Sequence, residues 1–161
     1  MRGNLVKLSS GRVKSFKYGD FEELKNFVTT NPGKSARICI HNGNDDLLHQ
    51  MIIVHRRGNY IRPHKHEFKS ESFQLIEGAL VVFIFNDNGE VIDKINMSVN
   101  ENIVFRIERN IWHTIVPTSE LVVFHEITNG PFTGNNDSIF PDWAPQCGEH
   151  NKIDMFMKNL N

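Results

Sequence analysis

The chain has 161 residues, 39% of them hydrophobic and 23% charged, which suits one domain around one core. Its 18 Lys and Arg against 19 Asp and Glu give a formal net charge of −1, which excludes a nucleic-acid or membrane surface built on bulk charge. No apolar run approaches the roughly 18 residues of a transmembrane helix, and the mildly basic stretch 2–17 lacks the apolar core of a signal peptide, so a soluble, cytoplasmic protein is expected. Cys39 and Cys147 lie far apart in no metal-ligand spacing and are expected to be reduced thiols.

Asp20-Phe-Glu-Glu23 reads as a helix start, with Asp20 as the cap and Glu23 placed to reach back to the cap amide. Phe21, Leu24, Phe27 and Val28 recur at helical spacing, and Asn31-Pro-Gly33 ends the helix. Residues 1–33 therefore read as an N-terminal extension with one short helix. The spacing then predicts strands or extended runs over 36–40, 47–55, 60–66, 72–77, 79–85, 91–97, 103–107, 111–116 and 121–127. Turn clusters at 41–46, 56–59 and 86–89 separate several of them. Many short strands at regular spacing imply an all-β sandwich or barrel over residues 34–128. Phe73, Leu75, Phe83, Phe85, Phe105, Trp112 and Phe124 read as its filling or interface. From residue 129 the pattern breaks. Gly130-Pro-Phe-Thr-Gly134 and Pro141-Asp-Trp-Ala-Pro145 read as an irregular tail over 129–161, anchored by Trp143 and closed by a short helix over 153–160.

The chemistry concentrates in the segment from Gly58 to Gly78. Residues two apart on a strand face one way, so His64 and His66 present two imidazoles to one side. Glu71 follows a short loop and starts the next strand, and His113 is placed to come from a further strand. Three imidazoles and a carboxylate suit one divalent iron, manganese, nickel, cobalt, copper or zinc ion.

Gly58, His64-x-His66, Glu71 and Gly78 together resemble the first sequence motif of the cupin superfamily. Residues 102–117 resemble its second motif less well. His113 is in place, but Asn102 and Asn110 stand at glycine positions, Glu108 replaces a proline and Pro117 replaces an asparagine. Asn tolerates positive φ better than other non-glycine residues, so both asparagines can serve the turns. The resemblance implies a single cupin (jelly-roll) β-barrel with an N-terminal helix and an irregular C-terminal tail, together with His64, His66, Glu71 and His113 as metal ligands.

The runs Ile61-Arg-Pro-His-Lys-His66, Phe85-Asn-Asp-Asn-Gly89, Trp112-His-Thr114, Gly130-Pro-Phe132 and Trp143-Ala-Pro145 are similar to the WbuC family of cupin-fold metalloproteins. Arg37, His41 and Gln50 sit at similar spacings. Ser70 departs from the tryptophan usual before the metal glutamate, and His125 before Glu126 is atypical. That family is often found beside bacterial surface-polysaccharide (O-antigen) genes, so the resemblance implies a role near sugar or sugar-nucleotide chemistry.

Barrel mouths favour small-ligand sites. Arg37, His41 and Gln50 are expected to line this one, with Arg62, Lys69 and His125 as further candidates to bind a sugar-like or anionic molecule; His41 is the candidate proton-transfer group. His49 and His55 read as plain strand residues, and His150 as solvated. The expected function is a metal-dependent enzyme of the isomerase or dioxygenase type. The alternatives are a non-catalytic binding or sensing module and a structural cupin. A metal-free epimerase would need a pocket tyrosine, and neither Tyr18 nor Tyr60 is placed for that. A homodimer is the expected assembly.

Overall fold

The computed structural model describes residues 3–134 and 137–160; Arg2 of the basic stretch and Asn135, Asn136 and Asn161 of the tail lie outside them. Strand β1 (Leu5–Leu8) runs parallel to β2 (Ala36–Cys39), and a 3₁₀ turn (Tyr18–Phe21) followed by helix α1 (Glu22–Thr30) connects them. Then come β3 (Leu48–Arg56), β4 (Glu71–Glu77), β5 (Leu80–Phe85), β6 (Val91–Met97), β7 (Val104–Ile107), β8 (Trp112–Pro117) and β9 (Leu121–Asn129), with α2 (His150–Leu160) near the end. One sheet has the order β1-β2-β3-β9-β4-β7 and the other β6-β5-β8. This is the expected jelly roll, but among the described residues its two sheets face each other without a ladder that closes them into a continuous barrel.

Alternation along the strands sorts the side chains into layers. Met51, Ile53, Phe73, Leu75 and Phe124 of the large sheet meet Leu80, Val82 and Ile115 of the small one between the sheets. Leu24 and Val28 of α1, both fully buried, cover Ile38, Ile52, Val54 and Val123 on the outer face of the large sheet. Each of those two side chains contributes on the order of 1.5–3 kcal/mol by leaving water. Leu160, Phe156 and Trp143 of the tail pack on Phe83, Phe85, Trp112 and Val116 outside the small sheet. Trp143 therefore anchors the tail, lying over Gly89 so closely that a Cβ there would overlap the indole.

Three expectations need correction. Asp20 does not cap α1: its carboxylate accepts from the Lys17 N–H at 2.9 Å within the 3₁₀ turn, and Phe21 opens α1 without a side-chain cap. Strand β1 is an addition to the N-terminal extension; four residues among polar neighbours give too short an alternation to register in sequence. The run 60–66 is extended but joins no sheet, apart from single bridges from His64 to His113 and from Lys65 to Ile139.

Candidate metal centre

The four residues that sequence reasoning singled out as ligands come together. His64, His66, Glu71 and His113 each offer one atom, and these atoms lie within 4.8 Å of one another. Backbone bonds set the frame. His64 N–H donates to His113 O at 3.0 Å and His113 N–H returns to His64 O at 2.9 Å, which pins the extended run onto β8. Asn110 N–H donates to His66 O at 2.7 Å. Asn110 adopts φ 65, the left-handed turn that a glycine would otherwise supply, so this departure from the second motif is structurally silent. Asn102 adopts no positive φ and instead donates its side-chain amide to Asn96 O at 2.9 Å.

Each imidazole is oriented through Nδ1. That atom lies 2.9 Å from Arg62 O in His64, 2.5 Å from Asp137 O in His66 and 3.0 Å from Ile111 O in His113. A carbonyl only accepts, so this network assigns the hydrogen to Nδ1 and leaves a lone pair on every Nε2. The Nε2 atoms of His66 and His113 then stand 3.1 Å from the two Glu71 carboxylate oxygens, acceptor against acceptor. The His66 Nε2 is buried without a hydrogen-bond partner. A shared cation resolves this arrangement. At a metal–ligand distance of about 2.1 Å, neighbouring ligand atoms stand roughly 3.0–3.4 Å apart, and both 3.1 Å contacts fit that spacing. The residues present therefore fit a divalent ion held by three Nε2 atoms and a carboxylate.

Electrostatics agree. Burial pushes His64 down to about 4, helped by His113 and His66, so it is a neutral ligand at neutral pH. Burial works against the Glu71 carboxylate, but its close contacts with His113 and His66 outweigh it and hold the carboxyl well below the usual range. Burial likewise works against charged His66, yet the Glu71 and Asp137 contacts raise it overall.

The cluster opens into a cavity of about 340 Å³ between the sheets. Arg37, His41 and Lys69 line it as expected. Lys69 is almost fully buried and pairs with Asp137, whose carbonyl orients His66. Removing that ammonium in Lys69→Met is expected to free residue 137 and to weaken metal binding about tenfold, as loss of an outer partner does; titration against a chelator measures it. His41 stacks on His49 at 4.0 Å, and burial lowers it.

The other three pocket candidates lie elsewhere. Arg62 donates to Pro141 O and Ala144 O at 3.1 and 3.3 Å and lies over the Phe140 ring, so it pins the tail. Gln50 turns to the outer face of β3 and lines a shallow groove with Arg12 and Lys14. His125 pairs across to Ile52 and Gln74 on the outer face, because Phe124 and Glu126 take the inward positions of β9. Placing Phe124 and His125 both inward breaks the two-residue alternation of a strand.

That alternation was also the signal for the missed residues. Glu126 shares the face of Phe124 and lines the cavity, as do His49 and His55. Burial, then the Glu71 charge, pushes the Glu126 carboxyl up to about 8. His55 stacks on Phe124, and its Nδ1 lies 3.2 Å from the Asn59 amide nitrogen. Burial holds His55 at about 4, below the 6.5 of a free imidazole. A group depressed on folding adds stability above its unfolded value and loses it as pH falls toward the folded one. Melting temperature is therefore expected to drop between pH 6.5 and about 4, and His55→Gln to drop less over the same window; equal losses would exclude His55 as a source.

The family described as "Domain of unknown function (DUF6016)" matches residues 17–97, half of the chain, including His64, His66 and Glu71. The chain belongs to the DUF6016 family. No curated protein sequence matches it. Among solved structures, this DUF6016 chain is similar to the capsular polysaccharide assembling protein CapF from Staphylococcus aureus, at 22% identity and TM-score 0.54 over 60% of this chain and 27% of that one. CapF with the inhibitor 3-isopropenyl-tropolone gives 22% and 0.53, over 60% and 29%. The L-ribose isomerase of Cellulomonas parahominis with L-psicose gives 14% and 0.55, over 68% and 70%. The chain thus spans under a third of CapF. At these identities the likeness is one of fold, and it agrees with the cupin jelly roll.

Proposed function

We propose that this chain holds one divalent transition-metal ion on His64, His66, Glu71 and His113 and uses it to bind a small, polar, sugar-like ligand, in the surface-polysaccharide chemistry of a bacterium. The observation that carries the metal is that Nδ1–carbonyl contacts in all three imidazoles leave lone pairs on Nε2, two of which face Glu71 at 3.1 Å. The sugar reading is supported by the roles of two fold neighbours, one assembling a capsular polysaccharide and one isomerising a sugar. The motif runs shared with the WbuC family add to it. The cavity of about 340 Å³ sits near the lower end of the roughly 300–1,000 Å³ usual for small ligands, which favours a monosaccharide-sized guest. A sugar nucleotide would leave its nucleotide outside.

Four protein ligands on a six-coordinate ion leave two positions, where the ion would polarise a carbonyl or hydroxyl or engage O2. The protein's part is to hold His64 neutral, to exclude water with Phe73, Phe124 and Ile115, and to keep His41 and Glu126 at the cavity wall. A cytoplasmic location and a homodimer belong to the same proposal; light scattering at twice the chain mass would show the dimer. The test of function is ligand-induced stabilisation. Monosaccharides are expected to raise the melting temperature of the metal-loaded protein and not of the chelator-treated protein. Stabilisation that survives metal removal would separate sugar binding from the ion and overturn the reading.

A further inference from the structure

Charge inside the cavity is unevenly compensated. Lys69 is paired with Asp137, and Glu71 is enclosed by imidazoles. Two ionisable side chains of the wall remain. Arg37 and Glu126 both face the cavity and the guanidinium's charge reaches Glu126, yet no ion pair joins them among the described residues. The guanidinium lies against the Cys39 thiol, and Glu126 makes no side-chain hydrogen bond to another described residue. A forked donor and a carboxyl that share a cavity without meeting are poised for a molecule that fits between them.

Strand register gives the layout. Glu71 is level with Thr128, Glu126 is level with Phe73 and Met51, and Arg37 is level with Ile53 and Phe124. Inward-facing rows are two residues apart, about 6.6 Å. Glu126 is thus one row from the metal-ligand row, on the strand next to Glu71. Arg37 is two rows away, on β2, two strands from β9, and open to solvent. His41, His49, Asn44 and Thr128 are further polar groups of the wall, His49 and Thr128 level with Glu71.

We infer that the cavity takes a small hydroxylated anion, a sugar acid or sugar phosphate, with its anionic group on Arg37 and a hydroxyl on Glu126. The inference rests on the metal-binding reading above and specifies its ligand. Guanidinium binds carboxylate and phosphate alike through paired N–H donors, so either source of the anion satisfies it. A Glu126 carboxyl whose proton is retained by burial does not repel that anion.

The test is calorimetric titration of the metal-loaded chain and of Arg37→Met and Glu126→Gln with ribose, ribose phosphate, gluconate and inorganic phosphate. Metal content is measured on every sample, and unchanged content shows that the variants fold. Ribose phosphate or gluconate is expected to bind at least about tenfold more tightly than ribose. Arg37→Met is expected to abolish that preference, and Glu126→Gln to weaken every sugar probe severalfold. Equal affinity for charged and neutral sugars overturns the inference, as does a preference that survives Arg37→Met. Inorganic phosphate bound as tightly as the sugar derivatives would mean an adventitious ion only. Full metal with no probe bound overturns this ligand class and leaves the metal reading standing; absence of metal removes both.

Discussion

His64→Ala with His66→Ala is expected to abolish metal binding, whereas the parent chain, purified without added metal, carries close to one ion. Loss of outer partners costs about 10–100-fold in affinity; removal of two of four ligands is expected to exceed that range. The remaining pair, Glu71 and His113, offers two of the four original donor atoms, and Glu71 would then be a buried carboxylate facing one imidazole. A ligand that binds only the folded chain stabilises it by about 2.7 kcal/mol at one hundred times its Kd. For a chain of this size that is about 5–10 °C of melting temperature. Chelation is expected to lower the parent by that amount and to leave the double variant unmoved. Identity of the ion then directs the chemistry: iron leads to O2-uptake assays, and zinc, manganese or nickel to sugar isomerisation screens. A folded parent without metal would overturn the metal reading, because the opposed lone pairs of His66 and Glu71 would need another cation, a proton, to bridge them.

How much of this was legible in sequence follows from the kind of signal each residue carries. The strands from β2 to β9 were readable because alternation and Gly, Asn and Asp turns are local properties. The metal quartet was readable because a two-residue step on an extended chain and one neighbouring strand bring the groups together, whatever the rest of the fold does. The cavity wall was harder. Arg62 is near His64 in sequence but is captured by tail carbonyls some 80 residues on, a contact with no local trace. Gln50 and His125 fell to parity: each lies one position from an inward residue, and a one-residue shift reverses the face. Glu126 was accessible to the same rule, given Phe124 as an inward anchor. Its proximity to Glu71 came only with the pairing of β4 to β9, which no local pattern encodes.

The two glycines that frame the first motif look equivalent in sequence and differ physically. Gly58 and Gly78 both adopt left-handed backbone, at φ 85 and 84. A Cβ on Gly58 meets nothing within 4 Å, so Gly58→Ala is expected to cost only the conformational penalty, about 1–2 kcal/mol. A Cβ on Gly78 would overlap Leu121 O and Ser119 Oγ and lie 3.1 Å from Val122 Cα. Two of those neighbours are backbone of β9 and its approach, and they cannot turn aside as a flexible side chain can. The Ser119 hydroxyl is also committed, since it accepts from Ala79 N–H at 2.8 Å. Gly78→Ala is therefore expected to cost more than about 4 kcal/mol, in the range reserved for overpacking at a strained backbone position. Thermal melts are expected to show Gly78→Ala at least about 5 °C below Gly58→Ala. The register of β4 against β9 shifts at Leu75 and Glu77, immediately before this turn. Gly78 thus admits the close approach that completes the pairing, and the same pairing sets Glu71 beside Thr128 and diagonal to Glu126. What folded Gly78→Ala protein remains is accordingly expected to show a smaller chelator-induced shift than Gly58→Ala. Equal melting temperatures for the two variants would mean that β9 can yield at Leu121, and that the second motif glycine serves the turn conformation alone.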